Sequence, residues 1–311
     1  MSIVCLGELL IDFVSMETGV SVGEASGFIK APGGAPANVA VGVARLGHQS
    51  VFLGQVGEDP FGHFLADVLA AEGVDVEGLR YTDQARTALA FVSLAQDGER
   101  SFVFYRHPSA DMLMKPEDLA FNKIETSSLF HFGSITLIHE PSRSATLQAA
   151  AYARSKGCMV SYDPNLRLAL WQNPSAARDG LWLGVPYANV IKISDEELAF
   201  MTGGDDVTSL WHDNLKLIVV THGANGSTAY LPDGTSYHQM TKAVSAVDTT
   251  GAGDGFVAGL LVGLLENPDS YAHDLPKILA FANAVGALTT TKRGAIPALP
   301  TRDQVMAFLS H

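Results

Sequence analysis

The feature that most restricts the fold is a recurring alternation of short apolar runs with longer segments of helical periodicity. Residues 3–6, 51–53, 129–132, 159–162, 190–193 and 217–221 are predominantly apolar. A strand with one wet face alternates apolar and polar residues, so such runs belong to strands covered on both faces. Between them, residues 35–46, 61–72 and 143–155 read as helices, with Pro36 suited to the first turn of the first and Gly47 to its end. The rhythm predicts a doubly wound α/β fold: a mostly parallel sheet flanked by helices, with a crevice at the strand C-termini. With 311 residues, 47% of them hydrophobic, the chain can bury a large core, and no interdomain linker interrupts it, so one domain over 1–311 is expected.

Two segments break the rhythm. Residues 13–30 lack helical periodicity and are rich in Val, Ser and Gly. Residues 87–106 read as two extended runs joined at Gln96-Asp97-Gly98-Glu99, a hairpin signal. Together they are expected to form a small sheet over the crevice, a lid inserted into the domain. Phe102 and Phe104 would then share one face of a strand and Val103 and Tyr105 the other. The second face calls for cover, which predicts a homodimer joined through the lids.

Charge and cysteine bound the partners. Lys and Arg number 20 and Asp and Glu 33, a net charge of −13. Such a surface repels phosphate backbones and anionic lipid, which argues against nucleic acid or membrane as a partner. The two cysteines, Cys5 and Cys158, lie in strand-like runs and read as buried thiols rather than a disulfide framework. No basic stretch precedes the first apolar run, and residues 256–265 are about half a bilayer span, so a cytoplasmic protein is expected.

The sharpest motif is Asp248-Thr249-Thr250-Gly251-Ala252-Gly253-Asp254-Gly255, leading into the apolar run 256–265. Small residues at a helix N-terminus let backbone N–H groups converge, which makes an anion hole. A carboxylate beside it repels a bound phosphate, a conflict resolved if Asp254 meets the hydroxyl that attacks phosphorus. No Gly-Lys-Ser/Thr follows, so this is not a Walker A loop, and the dinucleotide Gly-x-Gly-x-x-Gly is also absent. Gly255, Gly259 and Gly263 lie four apart, as close helix packing requires.

Pro32-Gly33-Gly34-Ala35-Pro36-Ala37-Asn38 lets a ligand approach the backbone, with Asn38 offering a donor and an acceptor from the first helical turn. With Glu8 and Asp12 upstream, it suggests a polyol pocket. In Lys192-Ile193-Ser194-Asp195-Glu196-Glu197, the spacing of Ser194 and Glu197 is that of a capping box, while a place for Glu197 near a metal-bound water is compatible with it. Two further polar strings, Asp163-Pro164-Asn165-Leu166-Arg167 and Thr221-His222-Gly223-Ala224-Asn225-Gly226, follow strands and point at the same crevice. Histidine spacing does not suit a catalytic zinc, and Gly-x-Ser-x-Gly is absent.

Taken together, these strings resemble the ribokinase (PfkB) family of sugar kinases over essentially the whole chain, most closely its plant and bacterial fructokinase branch. The likeness extends through 31–42, 104–113 and 163–167 to Thr289-Thr290-Thr291-Lys292-Arg293-Gly294-Ala295-Ile296-Pro297. The resemblance implies that Asp254 is the general base and that Gly251, Ala252 and Gly253 form the anion hole. It implies that Asp12, Gly33, Gly34 and Asn38 hold the sugar, with Arg106 and Arg167 beside it. ATP would lie along Lys192, Glu197, Thr221, Gly223, Gly226 and Asn283, with Glu197 orienting the Mg²⁺ shell. A K⁺ ion would use Asp248 and Thr250 with carbonyls near Gly294. The family often has Asn-x-x-Glu where this chain has Ser194 and Glu197, so only Glu197 is carried over.

The leading expectation is ATP-dependent phosphorylation of the 6-hydroxyl of D-fructose. Its rivals are kinase activity on 2-keto-3-deoxygluconate, whose carboxylate Arg106 and Arg167 would meet, or on aminoimidazole riboside. A non-catalytic sugar-binding regulator is the reading from another class. An unbroken glycine loop and an intact Asp254 argue against it.

Overall fold

A computed structural model describes residues 1–94 and 100–310. The expected hairpin turn at residues 96–99 lies outside them. The chain opens with β1 (Ser2–Leu6), then β2 (Leu10–Thr18) and β3 (Phe28–Gly33), before α1 (Ala35–Arg45), β4 (Gln49–Gly57) and α2 (Pro60–Ala71). Short strands β5 (Val74–Asp75) and β6 (Leu79–Thr82) precede β7 (Leu89–Leu94), β8 (Arg100–Tyr105) and α3 (Phe121–Glu125). The winding continues through β9 (Leu129–Gly133), α4 (Ser142–Ser155), β10 (Met159–Asp163), α5 (Pro174–Trp182), β11 (Val190–Ser194) and α6 (Asp195–Thr202). After β12 (Leu217–Thr221) come β13 (Ser227–Tyr230), β14 (Ser236–Gln239), α7 (Ala252–Glu266), α8 (Tyr271–Thr289) and α9 (Arg302–Ser310).

The large sheet has the order β14-β13-β12-β11-β10-β9-β1-β4-β5, with β6 on β4. Its pairs are parallel except β12–β13 and β13–β14, an antiparallel edge that the apolar rhythm did not disclose. Both faces are covered, which explains the continuous apolar runs. Val4, Leu6, Phe130 and Phe132 pack under α3 to α6, against Ala145, Leu181 and Leu198. Ile3, Cys5 and Leu129 face the opposite way, onto Val39, Leu65, Val257 and Val285.

Helix α7 is apolar all round because α1 and α8 enclose it. A Cβ on Gly259 would lie 2.8 Å from the Ala282 backbone, one on Gly263 2.7 Å from Ile278, and one on Gly42 of α1 2.6 Å from the Ala258 methyl. The glycines four apart therefore set the helix spacing, as their pattern suggested.

The second sheet has the order β3-β2-β7-β8 and unites the two segments expected to form a lid. It begins earlier than residue 13, because Leu10 already pairs with Gly33. Strands β2 and β7, distant in sequence, pair in parallel at its centre. On the large sheet, β1 lies between β4 and β9, so the chain winds one way from β1 to β4 and the other way from β9 to β12. A crevice opens at such a switch point, outside the strand C-termini.

Candidate active site

The crevice is walled by Glu8 beyond β1, Ser134 beyond β9, Asp163 and Asn165 at the end of β10, and Asp254 in the first turn of α7. Asp254 is the best-held of these. Its Oδ2 accepts a hydrogen bond from Asn38 Nδ2 at 2.7 Å, and its Oδ1 accepts one from Asn165 Nδ2 at 3.2 Å. Asn165 reaches it from a left-handed backbone, φ 41°, which asparagine tolerates better than most residues. Burial raises the Asp254 pKa above the ordinary carboxylate range, against the opposing effects of Asn38, Arg167, Lys192 and Asn165. The result is a desolvated, oriented carboxylate suited to taking a proton from a hydroxyl.

Beside it, Gly251 caps α7 with φ 76°, and a Cβ there would meet the Ala295 methyl at 2.8 Å. The Ala252 N–H turns back onto Thr249 O at 3.2 Å. Among the described residues, the first-turn N–H groups of Gly253 and Asp254 make no bond within the chain. These donors carry the positive end of the helix dipole. A Cβ on Gly253 would lie 3.5 Å from Lys192 Nζ, so an ammonium faces the same opening. Of the three residues expected to form the anion hole, Gly251 shapes the turn and Gly253 leaves its N–H free. Ala252 contributes its place in the turn but not its N–H.

Lys192 is itself paired with Asp163, at 3.2 and 3.3 Å to the two carboxylate oxygens. Burial alone would lower its pKa, but Asp163, Glu197 and Asp254 outweigh that and hold it above the ordinary lysine value. Burial pushes Asp163 up to about 7, with Lys192 opposing and Glu197 and Asp254 reinforcing the rise. Glu197 closes the capping box with Ser194, as the spacing indicated, and its other oxygen accepts the Leu166 N–H at 2.7 Å. That second bond fastens the loop carrying Asn165 and Arg167. One ammonium thus serves three carboxylates, an excess of negative charge that suits a divalent cation arriving with a polyphosphate. Among the described residues no group of three His, Cys, Asp or Glu is arranged to hold a metal ion directly.

On the acceptor side, Gly33 leaves room for Asp12, whose Oδ2 would lie 2.2 Å from a Cβ at that position. Gly34 has φ 114°, and its Cβ would meet the Glu8 backbone at 2.3 Å. Gly34 offers α1 no side-chain cap, and Glu8 substitutes from a distance by accepting the Ala35 N–H at 2.8 Å. Burial pushes the Glu8 carboxyl up to about 7, against its own N–H, that of Ala35 and the Arg106 charge. Arg106 is buried and holds Asp111 through two guanidinium nitrogens, with a longer bond to Ile135 O at 3.4 Å. It ties the end of β8 to the turns that hold Asp111 and Ile135. Arg167 is half-buried and its charge is felt by Asp254.

The residues expected at the nucleotide lie one strand further along. Thr221 ends β12 beside Ser194, and the following turn, with Gly223 at φ 56° and Gly226 at φ 87°, is closed by His222 N–H to Gly226 O at 2.8 Å. Asn283 donates to Gln239 O at 2.9 Å, the same carbonyl that a Cβ on Gly226 would strike. Asp248 draws its neighbours together: Oδ1 accepts the Thr250 N–H and hydroxyl at 2.9 and 2.6 Å, and Oδ2 accepts the Gly294 N–H at 2.9 Å. His131 and Ser134 escaped the sequence reading because they sit in or after an apolar run. Their one signal was a polar residue at the end of a strand beside the switch point.

The model of the pfkB family carbohydrate kinases matches residues 1–302. This chain belongs to that family. The kinase is similar to a probable fructokinase-2 of Arabidopsis thaliana, 52% identical over 316 residues that cover 99% of this chain and 95% of the relative. Among solved structures it is similar to the fructokinase of Xylella fastidiosa with bound ATP, at TM-score 0.92 and 36% identity over 99% of this chain and 98% of that one. It is also similar to the fructokinase of Vibrio cholerae O395, solved with fructose and ADP together with potassium ion (as a double mutant) or calcium ion. Both of these give TM-score 0.88 and 38% identity over 99% of this chain and 98% of the other. No helix of the described residues in the kinase is long and apolar enough to cross a membrane.

Proposed function

We propose that this kinase transfers the γ-phosphoryl group of ATP to the 6-hydroxyl of D-fructose, giving fructose 6-phosphate and ADP. The observation that carries the reading is the Asp254 carboxylate, buried and clamped beside two unengaged helix N–H groups. Asp254 takes the hydroxyl proton, and the Gly251, Ala252 and Gly253 turn receives the charge developing on the transferred group. Asp12, Gly33, Gly34 and Asn38 hold the sugar. Thr221, Gly223, Gly226 and Asn283 border the nucleotide, and Lys192 meets its phosphates. Mg²⁺ would come with the ATP phosphates and neutralise their charge, and Glu197, engaged by two backbone N–H groups, would act on its water shell. Asp248, Thr250 and Gly294, drawn together beside α7, are the residues we assign to K⁺.

Fructose is favoured over a keto acid by the charges in the pocket. Arg106 is committed to Asp111 and Lys192 to Asp163, so a substrate carboxylate facing Glu8, Asp163 and Asp254 would depend on Arg167 to offset their charge. An ADP-release assay on fructose, glucose, ribose, 2-keto-3-deoxygluconate and aminoimidazole riboside tests this. Fructose should give the highest kcat/KM, and preference for the keto acid would overturn the assignment. Arg167→Ala should lower kcat on the order of 100-fold while the fructose KM moves little, because its partner is charge that develops in the transition state. A change confined to KM would place Arg167 on the ground-state sugar instead.

We assign the whole chain to one catalytic unit with the small sheet as its lid, working as a homodimer through that lid in the cytoplasm. In support, Val103 and Tyr105 on one lid face are 42% and 64% exposed, an apolar surface that a second copy would cover. The two buried free thiols suit a reducing compartment. Light scattering at micromolar concentration should return a dimer, and a monomer there would remove the lid interface.

A further inference from the structure

Most buried hydroxyls in this fold are engaged, those of Ser50, Ser134 and Ser227 being exceptions among the described residues, and of these three Ser134 lines the crevice. Ser142 Oγ donates to Thr136 O at 3.0 Å, Thr146 Oγ1 to Ser142 O at 2.8 Å, and Ser161 Oγ pairs with His131 Nδ1 at 3.2 Å. Ser134 departs from this. It is 1% exposed, and its Oγ has no hydrogen-bond partner. Its position explains nothing locally. Ser134 stands where a serine would cap the short turn Ile135–Leu137, yet the side chain makes no cap bond and only its carbonyl receives the Leu137 N–H. Leaving a buried hydroxyl unpaired is costly, so such a group calls for an explanation.

Ser134 lines the acceptor crevice together with Glu8 and Asp254. A second orphan belongs to the same site: Asn38 gives its Nδ2 to Asp254, while its Oδ1, equally buried, has no partner. The two lie toward different ends. Asn38 is bonded to Asp254, near the charges of Arg167 and Lys192. Ser134 adjoins Ile135, whose carbonyl receives Arg106, and the Arg106 charge is the one felt by Glu8. A ligand that completes both must carry hydrogen-bonding groups at separated points, as a polyol does and an apolar molecule does not.

We infer that Ser134 is a further sugar-binding residue of this kinase, pairing with a hydroxyl of the acceptor other than the one phosphorylated. The inference rests on the reading that this crevice holds the acceptor sugar. It makes Ser134 a determinant of sugar choice, since a substrate lacking that hydroxyl leaves the serine unpaired.

The test compares wild type and Ser134→Ala on fructose, 1-deoxyfructose, 3-deoxyfructose, 4-deoxyfructose and 2,5-anhydromannitol, which lacks the anomeric hydroxyl. On fructose the variant should show a KM raised about tenfold, with kcat and the ATP KM within about twofold, since the lost bond is present before and during transfer. On one of the four analogues the wild type should show a similar loss, and on that analogue the substitution should cost nothing more. An unchanged fructose KM, or an equal penalty on every analogue, overturns the inference. Equal melting temperatures of variant and wild type confirm that the comparison reads binding rather than folding. If wild type ignores fructose, the fructose reading fails by itself. The comparison then moves to whichever sugar it phosphorylates and that sugar's deoxy forms, with the same two outcomes.

Discussion

Asp254→Asn is expected to lower kcat by about 10²- to 10⁴-fold with little change in the KM of either substrate. The substitution keeps shape and removes basicity. Asn38 and Asn165 both donate to the carboxylate, so the new amide presents its oxygen to one and must turn its NH₂ toward the other. Asn165, only half-buried and holding the longer of the two bonds, can answer by rotating its own amide, which leaves Asn38 in place. The fold and the sugar pocket should therefore survive. The pH profile gives a second readout. Glu8, Asp163 and Asp254 all line the crevice and are all raised by burial, so they take up protons earlier than ordinary carboxylates as pH falls. Ionised carboxylate is the active form, so wild-type activity should decline on the acid side, with a steeper limb than one group produces. The variant lacks one of the three and should show a shallower limb. A variant with near-normal kcat would remove Asp254 from the role of base.

Gly253→Val is expected to fold and to lose nearly all phosphoryl transfer. The glycine is exposed, and a Cβ there meets nothing nearer than Lys192 Nζ at 3.5 Å, an ordinary contact. The space it would fill lies between the free N–H groups and the ammonium, where transferring charge must sit. Valine keeps the backbone N–H, but its branched side chain obstructs approach to it; an aligned donor put out of reach typically costs about 3 kcal/mol, a factor on the order of 100 in kcat. Gly251→Val is the contrast. There φ 76° and the Ala295 methyl at 2.8 Å make the substitution a folding defect first. Thermal melting separates the two: Gly253→Val should melt near wild type and Gly251→Val well below it. If Gly253→Val transfers phosphate normally, the loop is a helix start and nothing more.

Much of this was legible in the sequence because its causes are local. Strands β1, β9, β10, β11 and β12 follow from apolar runs that need cover on both faces, and α1 from Pro36 at its start and Gly47 past its end. The glycine string at the start of α7 signals convergent N–H donors, because a helix start with almost no side chains leaves them uncovered. The capping box of Ser194 and Glu197 was readable from spacing alone. Residue chemistry and short-range geometry suffice for such features.

Tertiary structure decided the rest, because a side chain's role at this site depends on partners that no local pattern specifies. Asn38 and Asp254 stand 216 residues apart and meet only because the fold places the starts of α1 and α7 on one crevice. Arg106 reads as a cation available to a substrate until the fold sets Asp111 against it. Lys192 looks like an interior residue of an apolar strand, yet three carboxylates gather on it and keep it charged. The parallel pairing of β2 with β7 makes one small sheet from two remote segments, since register across a sheet is settled by packing over the whole layer rather than within either strand. Ser134 shows the same limit most plainly: its residue type is ordinary, and only the place of its unpaired hydroxyl on the crevice gives it meaning.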